Sequence, residues 1–219
     1  MSSLQLLNMW FEETAKLGPN RMRGNLPLIL PHTRIGLLGG SFDPPHQGHV
    51  QVSLSALKQL NLHHMIWLVS PQNPLKQHKP APVSERLKAA RKITASHPHI
   101  SASDIESKWR TQYTIETIRN FQTLYPNVEF IWVIGSDNWA NFHKWRGWVD
   151  IINAIPVAIY PRPGHSLKAG LGPAAQRFRS AQRNLRAPQI QAPAWQMLTG
   201  PHKYEASSQM RHMKQDHTR

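Results

Sequence analysis

Two histidines three residues apart, His46 and His49, follow two adjacent glycines in the string Gly39-Gly40-Ser41-Phe42-Asp43-Pro44-Pro45-His46-Gln47-Gly48-His49. Imidazoles at that spacing share one face of a first helical turn and can donate hydrogen bonds to phosphoryl oxygens as charge develops on them. Adjacent glycines let backbone approach a ligand that a Cβ would hold off. A helix starting near His46 would aim its unpaired N–H groups and the positive end of its dipole at an anion. Pro44 and Pro45 suit the lead into such a turn, because proline loses no helical hydrogen bond there. A glycine pair alone is usually only a turn and a lone histidine usually structural; it is their combination that points to a phosphate. The His46–His49 spacing would also suit zinc, but no third ligand accompanies it, so no metal site is read.

The elements that must position this turn follow from the apolar pattern. Ile35, Leu37 and Leu38 form a strand-like run before the glycines, and Val50, Leu54, Leu57 and Leu60 have helical spacing after them, which gives strand, tight turn, helix. Strands are further expected at Met65–Val69, ended by Ser70-Pro71, at Val128–Ile134, at Pro156–Tyr160 and at Trp195–Leu198. A helix is expected over 84–95 with Ser84 as its cap. Alternation of this kind predicts an α/β fold with a doubly wound, mostly parallel, Rossmann-like sheet, helices on both faces and ligands at the carboxyl ends of the strands. The turn at Gly39 and a second at Gly135-Ser136-Asp137-Asn138 would then share one edge. Residues 1–33 read as an extension, with Leu4, Leu7 and Phe11 spaced for a short amphipathic helix, and 34–219 as the catalytic domain.

Composition bounds the function. A chain of 219 residues with 40% hydrophobic content can bury a real core. The absence of cysteine excludes disulfides, cysteine–zinc sites and a thiol nucleophile. No apolar run is long enough to span a membrane, and Glu12 and Glu13 interrupt any signal-like start, so a cytoplasmic protein is expected. Subtracting 12 acidic from 26 basic residues leaves +14, a field that attracts polyanions. The cations are dispersed, the densest group being Arg177, Arg179, Arg183 and Arg186, and no nucleic-acid motif accompanies them. A nucleotide enzyme with several phosphorylated ligands is the preferred reading over a nucleic-acid binder.

The string from Gly39 to His49 resembles the signature of the nucleotidyltransferase superfamily, Gly-Gly-[Ser/Thr]-Phe-Asp-Pro-x-His-x-Gly-His, at every fixed position. Four further stretches resemble the bacterial nicotinate-nucleotide adenylyltransferases. The basic loop Pro71–Lys79 is similar to their Pro-Asn-x-x-Pro-Pro-His-Lys loop, with Lys76 and Lys79 both candidates for its lysine. Tyr113-Thr114 followed by Thr117-Ile118 resembles their Tyr-Thr-x-x-Thr-Leu motif. Read as physics, Thr114 is a helix cap; by resemblance it meets a nicotinate carboxylate, and the two readings use the same donors. Gly135-Ser136-Asp137 followed by Phe142-His143-Lys144-Trp145 is similar to their Gly-[Ala/Ser]-Asp and Phe-x-x-Trp pair, whose tryptophan stacks on the nicotinate ring, while Trp148 reads as core. Ser207-Ser208-Gln209-Met210-Arg211 resembles their phosphate-contacting Ser-[Ser/Thr] and arginine motif, although Ala206, Gln209 and Met210 depart from the pattern. Arg162-Pro163-Gly164 also has a counterpart there.

The resemblance implies transfer of the adenylyl group of ATP to nicotinate mononucleotide, giving deamido-NAD and pyrophosphate, with magnesium delivered on ATP. It implies His46 and His49 as the catalytic pair. ATP would be held by Gly39, Gly40, Ser41, Phe42, Gly48, Gly135, Asp137, Ser207, Ser208 and Arg211, and the mononucleotide by Lys76, Lys79, Thr114 and Trp145. Two alternatives stand beside it: an adenylyl- or cytidylyltransferase acting on another phosphorylated acceptor, and a basic nucleotide- or RNA-binding module without turnover.

Overall fold

The computed structural model describes residues 25–71, 80–162 and 166–200. Six strands, β1 (Arg34–Gly40), β2 (His64–Val69), β3 (Ile100–Ser103), β4 (Glu129–Gly135), β5 (Val157–Tyr160) and β6 (Trp195–Met197), form one sheet in the order β3-β2-β1-β4-β5-β6. Every pairing is parallel. The helices are α1 (Gln47–Leu60), α2 (Val83–Thr94), α3 (Ile105–Trp109), α4 (Thr114–Leu124), α5 (Ser136–Ala140), α6 (Trp148–Ala154), α7 (Ser166–Leu171) and α8 (Pro173–Arg177), with 3-10 turns at Phe142–Lys144 and Arg179–Ala181.

A parallel sheet covered on both faces needs strands that are apolar throughout, and β2 and β4 are: from Met65 to Val69 and from Phe130 to Gly135 every residue is buried. Alternate side chains go to opposite faces. Ile35, Leu37, Ile66, Leu68, Phe130, Trp132 and Ile134 meet α3, α4, α5 and α6 on one side. Leu38, Met65, Trp67, Val69, Ile131 and Val133 meet α1 and α2 on the other. Leu26 and Ile29, ahead of β1, also lie against the first cluster.

The expected doubly wound sheet is therefore present, with local corrections. Leu54 is 41% exposed, because Ser53 takes the inward position on α1, where its hydroxyl accepts from Trp67 Nε1 at 2.8 Å and donates to the His49 carbonyl at 2.9 Å. Ser84 is the second residue of α2 rather than its cap, which falls at Pro82. Thr114 likewise opens α4 after Tyr113, and the carboxylate of Glu116 accepts from the amides of Gln112 and Tyr113 at 2.8 and 3.1 Å, doing the capping assigned to the threonine. Strand β3 and helix α3 escaped the pattern, since Ile100-Ser101-Ala102-Ser103 is short and half polar. The amphipathic helix expected at Leu4–Phe11 lies outside the described residues.

Two buried polar side chains hold the carboxyl edge of the sheet. Arg86 of α2, almost fully buried, donates to the carbonyls of Ala81 at 2.6 Å, Ser70 at 2.9 Å and Pro71 at 3.2 Å, and to that of Ser41. It thereby ties the segment after β1 to the segment after β2. Burial lowers the pKa of its guanidinium and the Asp43 carboxylate opposes that shift. Glu106 of α3 accepts from Thr117 Oγ1 at 3.0 Å, and Thr117 and Thr111 join hydroxyls at 2.9 Å, fixing the first turns of α4 to α3. Burial raises the Glu106 carboxyl to about 7, against the lowering by its bond from Thr117.

Each gives a stability prediction. Arg86→Met leaves several buried carbonyls without their donor and should lower the free energy of unfolding by about 2–4 kcal/mol, read from the urea midpoint; a change below about 0.5 kcal/mol would show the clamp to be dispensable. Because the folded protein holds the Glu106 proton more tightly than the unfolded chain, its contribution is present at acid pH and lost as pH rises through about 7. Between pH 5 and 8 wild type should lose about 2.5 kcal/mol relative to Glu106→Gln. Parallel stability curves for the two proteins across that range would contradict the assignment.

Candidate functional site

The site begins where β1 ends. Gly39 and Gly40 close the strand, Ser41 presents its carbonyl to Arg86, and Phe42 turns back with φ +47°. A left-handed conformation is costly for a bulky residue, and here it is held by burial: Phe42 is 1% exposed and stacks on Trp67 with centroids 4.9 Å apart. After the proline pair, His46 caps α1.

The two histidines form a reciprocal cap. The Gly48 amide donates to His46 Nδ1 at 3.1 Å, the His46 amide donates to His49 Nδ1 at 3.2 Å, and the rings lie 3.9 Å apart. His49 also packs against Phe42 and Trp67. An Nδ1 that accepts a backbone N–H leaves the proton of a neutral imidazole on Nε2. Both rings are thus fixed as Nε2 donors at the head of a 14-residue helix whose dipole favours an anion at the same place. Among the described residues no group of three or more His, Asp and Glu side chains is placed to hold a metal ion.

Beside this turn stands the end of β4, since β1 and β4 pair with Leu38 opposite Val133. Gly135 caps α5, and a Cβ there would fall 2.4 Å from Asp137 Oδ1 and 2.7 Å from Arg162 Nε. Asp137 pairs with Arg162 at 3.3 Å, and the Arg162 amide donates to Ser136 Oγ at 2.8 Å. Arg162, uninformative as sequence, proves to bind the end of β5 to the end of β4. Asp137 is a paired carboxylate in the first turn of α5, not its cap.

The Tyr113-Thr114 turn and the Trp145 segment meet. The Arg146 guanidinium lies 4.4 Å over the Tyr113 ring. Trp145 is half-buried against Phe142, at 5.3 Å, and its carbonyl accepts from the Trp148 amide at 3.2 Å across the left-handed Gly147. Trp148, expected in the core, is half-buried between Phe142 and Phe178. Since α4 leads into β4 and the Trp145 segment follows it, both lie toward the carboxyl edge that carries the histidines.

The structure therefore brings Gly39, Gly40, Ser41, Phe42, His46, Gly48 and His49 together, sets Gly135 and Asp137 beside them, and joins Thr114 to the Trp145 segment through Tyr113 and Arg146. Lys76, Lys79, Ser207, Ser208 and Arg211 lie outside the described residues. A separate cleft of about 440 Å³ between α2 and α3, lined by Val83, Leu87, Lys88 and Ser107 among others, contains none of the expected site residues. Sequence reading gave Arg86 and Arg146 no role of their own. Arg86 carries no local signal, because three of its four carbonyl partners, in Ser41, Ser70 and Pro71, lie well away in the chain; Arg146 shows in the sequence only as one of the two cations flanking Trp145.

Residues 37–211 match the family described as cytidylyltransferase-like. A protein of Ruegeria sp. (strain TM1040) named "Probable nicotinate-nucleotide adenylyltransferase" is 45% identical over 182 residues, covering 81% of this chain and 95% of that protein. One of the same name from Caulobacter sp. (strain K31) is 45% identical over 183 residues, covering 81% and 96%. In fold, the chain is similar to the Plasmodium falciparum nicotinic acid mononucleotide adenylyltransferase complexed with NaAD, with a TM-score of 0.64, 19% identity and 83% of each chain covered. Identity of that extent over nearly the whole length of its relatives, on a shared doubly wound sheet, makes this chain a member of the cytidylyltransferase-like family and, within it, of the nicotinate-nucleotide adenylyltransferases.

Proposed function

We propose that this protein transfers the adenylyl group of ATP to nicotinate mononucleotide, releasing pyrophosphate and forming deamido-NAD. The observation that carries the reading is the reciprocally capped pair His46–His49, two fixed Nε2 donors at a helix head beside the β1–β4 crevice. The names of the relatives supply the acceptor, and the convergence of the Thr114 turn with the Trp145 segment is consistent with it. We take residues 34–219 as the catalytic domain, 1–33 as an extension, and the cytoplasm as its place of work.

An oxygen of the mononucleotide phosphate attacks the α-phosphorus of ATP in line. The new P–O bond forms as the bond from the α-phosphorus to the bridging oxygen breaks, and that oxygen leaves with pyrophosphate. The attacking group is already anionic, so the protein supplies position and charge stabilisation rather than a base or a covalent nucleophile. His46 and His49 donate from Nε2 to the phosphoryl oxygens on which charge grows. The backbone from Gly39 to Phe42 and at Gly48 lines the phosphates, and Gly135 and Asp137 face the nucleoside. Ser207, Ser208 and Arg211 are assigned to the distal phosphates. The acceptor is assigned to Thr114 for its carboxylate, Trp145 for its ring, and Lys76 or Lys79 for its phosphate. ATP enters as its magnesium complex.

Purified protein with magnesium, ATP and nicotinate mononucleotide should release pyrophosphate and form deamido-NAD in equal amounts. Turnover on phosphopantetheine in place of the mononucleotide would move the protein to another branch of the superfamily, and no turnover on any acceptor would favour the binding module. His49→Ala should cut kcat by about 100- to 1,000-fold in a protein that still unfolds cooperatively, its midpoint lowered by the loss of about 1 kcal/mol of capping; near-normal rates would remove the histidines from catalysis. Trp145→Ala should raise KM for the mononucleotide about tenfold and change kcat little. A loss confined to kcat would show that Trp145 does not hold the ring.

A further inference from the structure

We infer that Glu106 is a positioning residue for the acceptor: its protonated carboxyl closes a ring of hydrogen bonds that pins both sides of the Tyr113-Thr114 turn, and its ionisation opens the ring and weakens binding of the mononucleotide. The inference rests on the proposed function and concerns how its acceptor end is held.

The ring follows from the number of protons available. Thr117 Oγ1 lies 3.0 Å from Glu106 Oε1 and 2.9 Å from Thr111 Oγ1, and Thr111 Oγ1 lies 3.4 Å from the Glu106 carbonyl. All three residues are buried. Two hydroxyls carry two protons, too few for three hydrogen bonds. When the carboxyl is ionised, Thr117 donates to Oε1, and the single proton of Thr111 serves either Thr117 or the Glu106 carbonyl, not both. When the carboxyl is protonated, it donates to Thr117, Thr117 donates to Thr111, and Thr111 donates to the Glu106 carbonyl. The ring is then complete, and each of its donors has an acceptor.

The two threonines stand on either side of the acceptor turn. Thr111 is two residues ahead of Tyr113, and Thr117, in the first turn of α4, is three beyond Thr114. The Thr111 amide adds a bond to the Glu106 carbonyl at 3.0 Å. Among the described residues no cation compensates an ionised Glu106. Beside it, β2 presents Ile66 and Leu68, and α4 presents Ile118 and Phe121, to the apolar cluster that holds Ile105. On α3 itself Asp104 and Lys108 pair with each other at 3.5 Å, and Glu116 of α4 turns to the amides of Gln112 and Tyr113. A carboxylate formed here is buried with no countercharge and with one hydrogen bond of the ring lost, so it loosens the turn it held. Burial keeps the carboxyl protonated up to about pH 7, which puts the opening of the ring close to neutrality.

The test measures kcat and KM for nicotinate mononucleotide at saturating magnesium-ATP, from pH 6 to 8, on wild type, Glu106→Gln and Thr117→Val. Hydrogen exchange of the Glu116 and Thr117 amides, which donate to the Tyr113 carbonyl, is followed over the same range. The side-chain amide in Glu106→Gln donates as the protonated carboxyl does and does not titrate. Between pH 6 and 8 the KM of wild type should therefore rise about fivefold relative to that of Glu106→Gln, the effect of one hydrogen bond, while the kcat profiles stay parallel. Titration of the substrate phosphate and of His46 and His49 is common to both proteins and drops out of the ratio. Amide protection should fall with pH in wild type relative to Glu106→Gln. Thr117→Val cuts the ring at every pH and should show the raised KM already at pH 6, with Thr117→Ser restoring it. Parallel KM profiles in wild type and Glu106→Gln, or a difference confined to kcat, would overturn the inference. If wild type turned over no mononucleotide, the proposed function would fail, while the exchange profiles would still decide whether Glu106 governs the turn.

Discussion

The sheet changes direction at β1, and everything at the site depends on that. The chain runs outward through β2 and β3, then returns to lay β4 against the other side of β1, so two turns that lead away from each other leave a crevice beyond the two carboxyl ends. The closeness of the two strands is built into their residues. A Cβ on Gly39 would lie 2.8 Å from the indole of Trp132, which is 2% exposed and fills the space above the glycine. Glycine on one strand and tryptophan on the next let the backbone reach the crevice bare while the sheet beneath it remains packed.

Around that crevice, the polar groups mainly hold one another in position. His46 and His49 exchange backbone hydrogen bonds through Nδ1, which spends one nitrogen of each ring on the turn and leaves the other with a defined proton. Arg86 fixes the loop carrying Ser41 from beneath, and Arg162 fixes Asp137 and the end of β4 from the side. Such preorganisation is what an in-line phosphoryl transfer needs, because the reaction asks for placed charges and little covalent chemistry from the protein. The same logic extends to Glu106, which holds the start of α4 through Thr117 and so steadies the turn that presents Thr114.

Much of this was legible in the sequence where the physics is local. The Gly39–His49 string announces its own strand, turn and helix, and the apolar runs of β2 and β4 can hardly be anything but buried parallel strands. The outward winding needed β3, whose alternating Ser101 and Ser103 hide it: Ser103 is buried and donates nothing to an apolar pattern, yet its Oγ accepts from the Ile105 amide at 3.2 Å to start α3. Caps were the other weakness. Ser84 and Thr114 have capping chemistry, but Pro82 and the Glu116 carboxylate took those places, because neighbours in the fold rather than intrinsic preference settled where each helix begins. Arg86 and the meeting of Arg146 with Tyr113 join residues far apart in the chain, and no spacing rule could have supplied them.

The account is tested most directly by a crystal structure of the protein with deamido-NAD bound. The dinucleotide should lie across the β1–β4 crevice, with oxygens of its bridging phosphates within hydrogen-bonding distance of Nε2 of His46 or His49 and its pyridine ring against Trp145. A dinucleotide bound away from the capped histidine turn, or one whose pyridine ring lies elsewhere than on Trp145, would contradict it.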